Sequence, residues 1–149
     1  MEAEARAFLE AYARAFRQQE VETMLALMAL DDPRFCLYED VSPGLMTAAA
    51  VETMVGFLPR LVEPDMAFRD VLVYPLAKGL CLVTARQRVK VNTPQGVQKF
   101  TSRASMLLLN RGGRWQLLHA HFSPEPPPIE PAAQGGEPAP PDTDTKTDK

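Results

Sequence analysis

The chain has two histidines, His119 and His121, and both lie in the run GRWQLLHAHFSP, residues 113–124. A strand turns alternate side chains to one side, so Trp115, Leu117, His119, His121 and Ser123 are expected on one face. Upstream, Arg103 and Ser105 alternate in the same way. Reading Arg111-Gly112-Gly113 as a three-residue loop pairs Asn110 with Arg114, Leu107 with Leu117, Ser105 with His119 and Arg103 with His121. A two-residue Gly112-Gly113 turn would shift the pairing by one and put Arg103 on the other face from the histidines. The first register groups polar with polar and is preferred. It gathers Arg103, Ser105, His119 and His121 beside Trp115 inside a mostly apolar sheet.

A buried guanidinium needs partners, and neutral imidazoles do not balance its charge. A carboxylate from Glu39 or Asp40, or an anionic or carbonyl oxygen of a ligand, would complete the set. The expected ligand-binding residues are therefore Arg103, His121, His119, Ser105 and Trp115, with Tyr38 and Asp40. No residue is assigned a catalytic role. A metal site is not expected, because His-x-His supplies only two ligands and Arg103 beside them would repel a cation. The plainer reading is that the histidines are satisfied within the sheet and pack beside Trp115. Nucleophilic catalysis lacks a Gly-x-Ser-x-Gly elbow, and Gly112-Gly113 is a hairpin turn rather than a phosphate cradle.

The elements that must position these groups follow in a simple order. Phe8, Leu9, Tyr12 and Phe16 recur at helical spacing in residues 3–19, and Met24, Leu25 and Met28 in residues 21–30. Arg34 to Asp40 reads as a short strand. A third helix starts near Thr47, buries Val51, Met54, Val55 and Leu58, and is ended or bent by Pro59. Four antiparallel strands follow, over 67–77, 80–91, 97–109 and 114–123. Lys78-Gly79, Asn92 to Gly96, and Arg111 to Gly113 separate them. Segregated helices followed by a meander define an α+β domain, whose twisted sheet wraps the helices and leaves a pocket on its concave side.

Composition narrows the function classes. The 149 residues suit one core, expected over residues 1–124. Residues 125–149 carry proline, acidic groups and one large apolar side chain, Ile129, and are expected to be a disordered tail. That tail holds a net charge of −4 within a chain of −3, leaving the domain at about +1, which is no nucleic-acid footprint. The two cysteines, Cys36 and Cys81, lie in separate apolar runs as buried thiols. The acidic N-terminus does not match a signal peptide and no apolar run is long enough for a bilayer span. A cytoplasmic protein with no membrane partner and no cofactor is expected.

The segment TSRASMLLLNRGGRWQLLHAHFS resembles the closing hairpin of SnoaL-like proteins in the nuclear transport factor 2-like superfamily. There an Arg-x-Thr strand runs through a glycine turn into Trp-x-Ile-x-His-x-His-x-Ser. Arg103, Trp115, His119, His121 and Ser123 match, and Ser105 stands where threonine is usual. The association domain of calcium/calmodulin-dependent kinase II ends similarly. The resemblance implies a cone-shaped fold with three N-terminal helices in a curved, mainly antiparallel sheet, a cavity under the helices and a homodimer through the outer sheet face. It implies a small-molecule-binding domain, with a proton-transfer enzyme of isomerase, cyclase or dehydratase type, or a non-enzymatic oligomerisation module, as alternatives. In the ketosteroid isomerase branch a first-helix tyrosine and a carboxylate beyond the second helix act on the substrate. Tyr12 and Asp40, or Glu39, hold comparable stations, whereas Arg103 replaces that branch's second acid.

Overall fold

The computed structural model describes residues 1–40 and 42–129. Helix α1 (Glu2–Arg17) turns Phe8, Leu9, Tyr12 and Ala13 into the core. Helix α2 (Val21–Ala26) is shorter than its apolar spacing suggests, ending ahead of Met28. Strand β1 spans Cys36–Tyr38, helix α3 spans Ala48–Val55, and a single 3-10 turn, Leu58–Arg60, accommodates Pro59. Four long strands complete the chain: β2 (Val62–Ala77), β3 (Leu80–Thr93), β4 (Gly96–Arg111) and β5 (Arg114–Pro124). The sheet order is β1-β5-β4-β3-β2; β1 runs parallel to β5 and every other pair is antiparallel. This is the α+β arrangement expected, with three helices packed against a mainly antiparallel sheet. Among the described residues no helix is long and apolar enough to cross a membrane.

Strand β2 begins five residues before the sequence pattern places it. Pro64 obscures the start, because proline cannot donate to a ladder and suggests a loop. It is tolerated here because β2 is an edge strand and bulges at this point. Glu63 and Asp70 both have positive φ, 47° and 53°, and lie within two of the three register shifts of this strand.

The closing hairpin corrects the preferred register. Arg111 pairs with Arg114, so the loop is the two-residue Gly112-Gly113 turn. Both glycines have positive φ, 61° and 86°, as a primed hairpin turn requires. The ladder then reads Asn110 with Trp115, Leu109 with Gln116 and Leu108 with Leu117. At that point β5 bulges, and Leu107 pairs with His119 rather than with Leu118. From there Ser105 faces His121 and Arg103 faces Ser123.

That one extra residue, Leu118, decides the faces. Leu117 is fully buried, yet past the bulge Ala120 and Phe122 are the buried residues, not His119 and His121. Trp115 and the histidines therefore point to opposite sides of the sheet. The expectation that residues 115 to 123 alternate without interruption fails here. Of the expected tail, Glu125 is attached: its N–H donates to the Thr101 carbonyl at 3.0 Å and its carboxylate accepts from Arg86. Residues 130–149 of that tail lie outside the described residues.

Candidate functional site

The histidine cluster expected to line a pocket lies on the outer, convex side of the sheet. Arg103, Ser105 and His121 are exposed and His119 is half-buried. Arg103 continues a cross-strand row with Arg86 and Arg69. At the sheet edge β1 supplies the histidines' neighbours. His119 Nδ1 is 2.9 Å from the Cys36 carbonyl and 3.2 Å from Cys36 Sγ. Since a carbonyl only accepts, that contact assigns the proton to Nδ1. Tyr38, 43% exposed, stacks its ring 5.5 Å from His121 and edge-on to His119. Trp115 sits apart, packed against the core on the inner side. The structure thus brings Arg103, Ser105, His119, His121 and Tyr38 to one surface, but not around a hollow.

The hollow is on the concave side, between the helices and the sheet, with a volume of about 330 Å³. Its floor comes from the inward residues of the long strands, Met66, Gln87, Val89, Phe100 and Ser102. Tyr12 and Phe16 of α1, Met24 and Met28, and Met54 and Val55 of α3 form the walls. Phe57 and Phe100, 49% and 42% exposed, mark the mouth. Of the residues expected in the site, Tyr12 and Asp40 are here, and Glu39 is beside them.

The polar groups of this cavity sit in an unusual electrostatic setting. Burial, reinforced by the neighbouring Asp40 charge, pushes the Glu39 carboxyl up to about 7. Burial also raises the Tyr12 phenol far above its ordinary value, with Glu39 adding to the effect. Ser102 donates its hydroxyl hydrogen to Asp40 Oδ2. Among the described residues, Asp40 Oδ1 has no hydrogen-bond partner and is buried. Gln87 Nε2 reaches only the Met66 sulfur, at 3.5 Å, a weak acceptor. No lysine, arginine or histidine is among the described residues lining the cavity. Chemically, the site offers an apolar enclosure with carboxyl acceptors, the Tyr12 hydroxyl and Gln87 amide as donors, and one carboxyl, Glu39, whose charge burial disfavours.

Sequence reasoning missed Gln87 and Ser102, although a signal was present. Gln87 lies between Arg86 and Arg88, and Ser102 directly precedes Arg103. If the arginines face solvent, strict alternation sends the uncharged polar neighbours inward. Anchoring the pattern on the histidines instead inverted β4 and the part of β5 beyond the bulge.

The SnoaL-like domain family matches residues 5–128. No curated protein sequence matches the chain. Among solved structures, a candidate scytalone dehydratase from Novosphingobium aromaticivorans is 8% identical with a TM-score of 0.75, each chain covered to 83%. A candidate dehydratase of the NTF2-like family from Streptomyces avermitilis is 15% identical with a TM-score of 0.73, covering 84% of this chain and 96% of that one. A candidate calcium/calmodulin-dependent protein kinase II association domain from Xanthomonas campestris is 18% identical with a TM-score of 0.71, covering 83% and 86%. At these identities the structural likenesses show the fold alone. With the family match spanning most of the chain, the protein belongs to the SnoaL-like domain family, and its fold is that of the NTF2-like structures.

Proposed function

We propose that the chain is a small-molecule-binding domain whose ligand occupies the concave cavity, not the surface around Arg103. One observation carries this reading: a hollow of about 330 Å³ has apolar walls and polar groups, Tyr12, Glu39, Asp40, Gln87 and Ser102, among them. Such a combination is the usual anatomy of a ligand site. Its acidic residues disfavour the anionic ligand that Arg103 alone would suggest. Native mass spectrometry of the purified protein should find a small molecule bound, and the neutral dye Nile red should enter the same space. Met54→Trp, which fills the hollow from α3, should weaken dye binding at least about tenfold, a loss of about 1.4 kcal/mol. Arg103→Ala should leave it unchanged. The reverse pattern would return the site to the outer face.

A proton-transfer enzyme is the second reading, favoured by Glu39. A carboxyl titrating near 7 suits general acid or base work at neutral pH. Dehydratase candidates among the fold neighbours support the same direction without assigning a substrate.

Self-association forms part of the proposal. The outer sheet face exposes Leu72, Tyr74 and Leu76, and Leu80, Leu82, Leu107 and Leu109 beside them are only half-buried. An apolar face of this kind fits a second copy of the chain. Light scattering should report a homodimer, and Leu72→Arg should convert it to monomer. A monomeric wild type would remove this element and leave the cavity reading standing.

A further inference from the structure

The carboxylates in the cavity lack a counter-charge. Glu39 and Asp40 are consecutive, both line the hollow, and no cationic side chain lines it among the described residues. Taking carboxylates out of water without a cation or full hydrogen bonding is costly. Proton uptake by Glu39 relieves one of them. Asp40 remains, with Ser102 on Oδ2 and nothing on the buried Oδ1. A ligand that brings a positive charge into the hollow would balance the acidic pair.

The walls fit the rest of such a molecule. Four methionines, Met24, Met28, Met54 and Met66, line the hollow with Phe16 and Phe100. Thioethers adapt to irregular apolar shapes, and aromatic faces attract a cation. An anion would meet charges of its own sign. A neutral oxygen acceptor, such as a carbonyl, would leave the two acids without a counter-charge.

We infer that the molecule this cavity selects is a lipophilic amine, its ammonium group paired with the Glu39 and Asp40 carboxyls and its hydrocarbon body against the methionine and aromatic walls. The inference rests on the cavity-binding reading above and narrows it to a chemical class.

Three probes of one shape test it: 2-naphthylmethylamine, 2-naphthalenemethanol and 2-naphthoate, each titrated against Nile red bound to the full chain. The amine should displace the dye at least about tenfold more tightly than the alcohol, and the carboxylate should not compete. Asp40→Asn should bring the amine down to the alcohol's affinity, both measured by displacement of Nile red against the variant's own dye affinity. If that variant does not fold, Glu39→Gln provides the second test, with a smaller loss confined to the amine. An alcohol or carboxylate that binds as well as the amine overturns the inference while the dye upholds the cavity. Dye binding that none of the three probes displaces also overturns it. A protein that binds neither dye nor probes overturns the cavity reading as well.

Discussion

Glu39→Gln should stabilise the protein at pH 8 and leave it unchanged near pH 4. The Glu39 carboxyl ionises at about 7 in the folded chain against an ordinary value of 4.5. Below pH 4 both folded and unfolded chains hold the proton, so its removal by substitution changes nothing. Between those two values the unfolded chain releases the proton while the folded chain keeps it. The folded state then binds more protons, and its stability falls as pH rises. Above 7 the folded chain carries the whole cost of a buried charge, about 3 kcal/mol at 1.36 kcal/mol for each unit between 4.5 and 7. Glutamine, an uncharged near-isostere of the protonated acid, removes that cost.

The difference between variant and wild type isolates the effect. Asp31 and Asp32 are held low by their arginine partners Arg111 and Arg34, and Glu125 by Arg86, which gives the whole protein an opposing slope. Those contributions are common to both chains and cancel. Urea unfolding of the pair from pH 4 to 8 measures the difference directly. A flat difference would mean that Glu39 is not buried as described, and with it the second functional reading would lose its acid/base group.

Leu108→Ala should be the most destabilising of the single truncations in the closing hairpin, by about 3 kcal/mol, a typical loss for a buried leucine. Leu108 is fully buried in the middle of β4 and pairs across the ladder with Leu117, also fully buried. Truncation there leaves a void bordered by long strands that cannot collapse around it. Leu107→Ala, one residue away, should cost no more than about 1 kcal/mol in the monomeric Leu72→Arg background, because Leu107 faces outward and is only half-buried. Thermal unfolding of the two variants reads this contrast as a drop of about 10 °C against a few degrees. Equal losses would show that the sheet faces are assigned the wrong way round, and would carry the histidines back inside.

Much of the architecture was legible residue by residue. Phe8, Leu9 and Tyr12 mark α1 because a helix returns to the same face every three or four residues, and no strand would bury all three. Lys78-Gly79 and Gly112-Gly113 mark hairpin turns because few other residues adopt positive φ without strain. The order of elements, the α+β class and the family all follow from such local signals. The resemblance also named Tyr12 and Asp40, and both line the hollow on the concave side.

The face each strand presents was not legible. Alternation carries that information only while a strand is uninterrupted, and a single inserted residue reverses every side chain beyond it. Leu118 is that residue, and in the run Gln-Leu-Leu-His either leucine reads equally well as part of a regular strand. What distinguishes them is the partner strand: pairing Leu108 with Leu117 and Met106 with Ala120 buries apolar side chains on both sides of the bulge, at the expense of one ladder position. That gain comes from contacts between residues far apart in the chain, which no local pattern contains. Tertiary packing therefore sent Arg103 and the histidines outward and left the two acids just after the first strand, Glu39 and Asp40, to line the hollow.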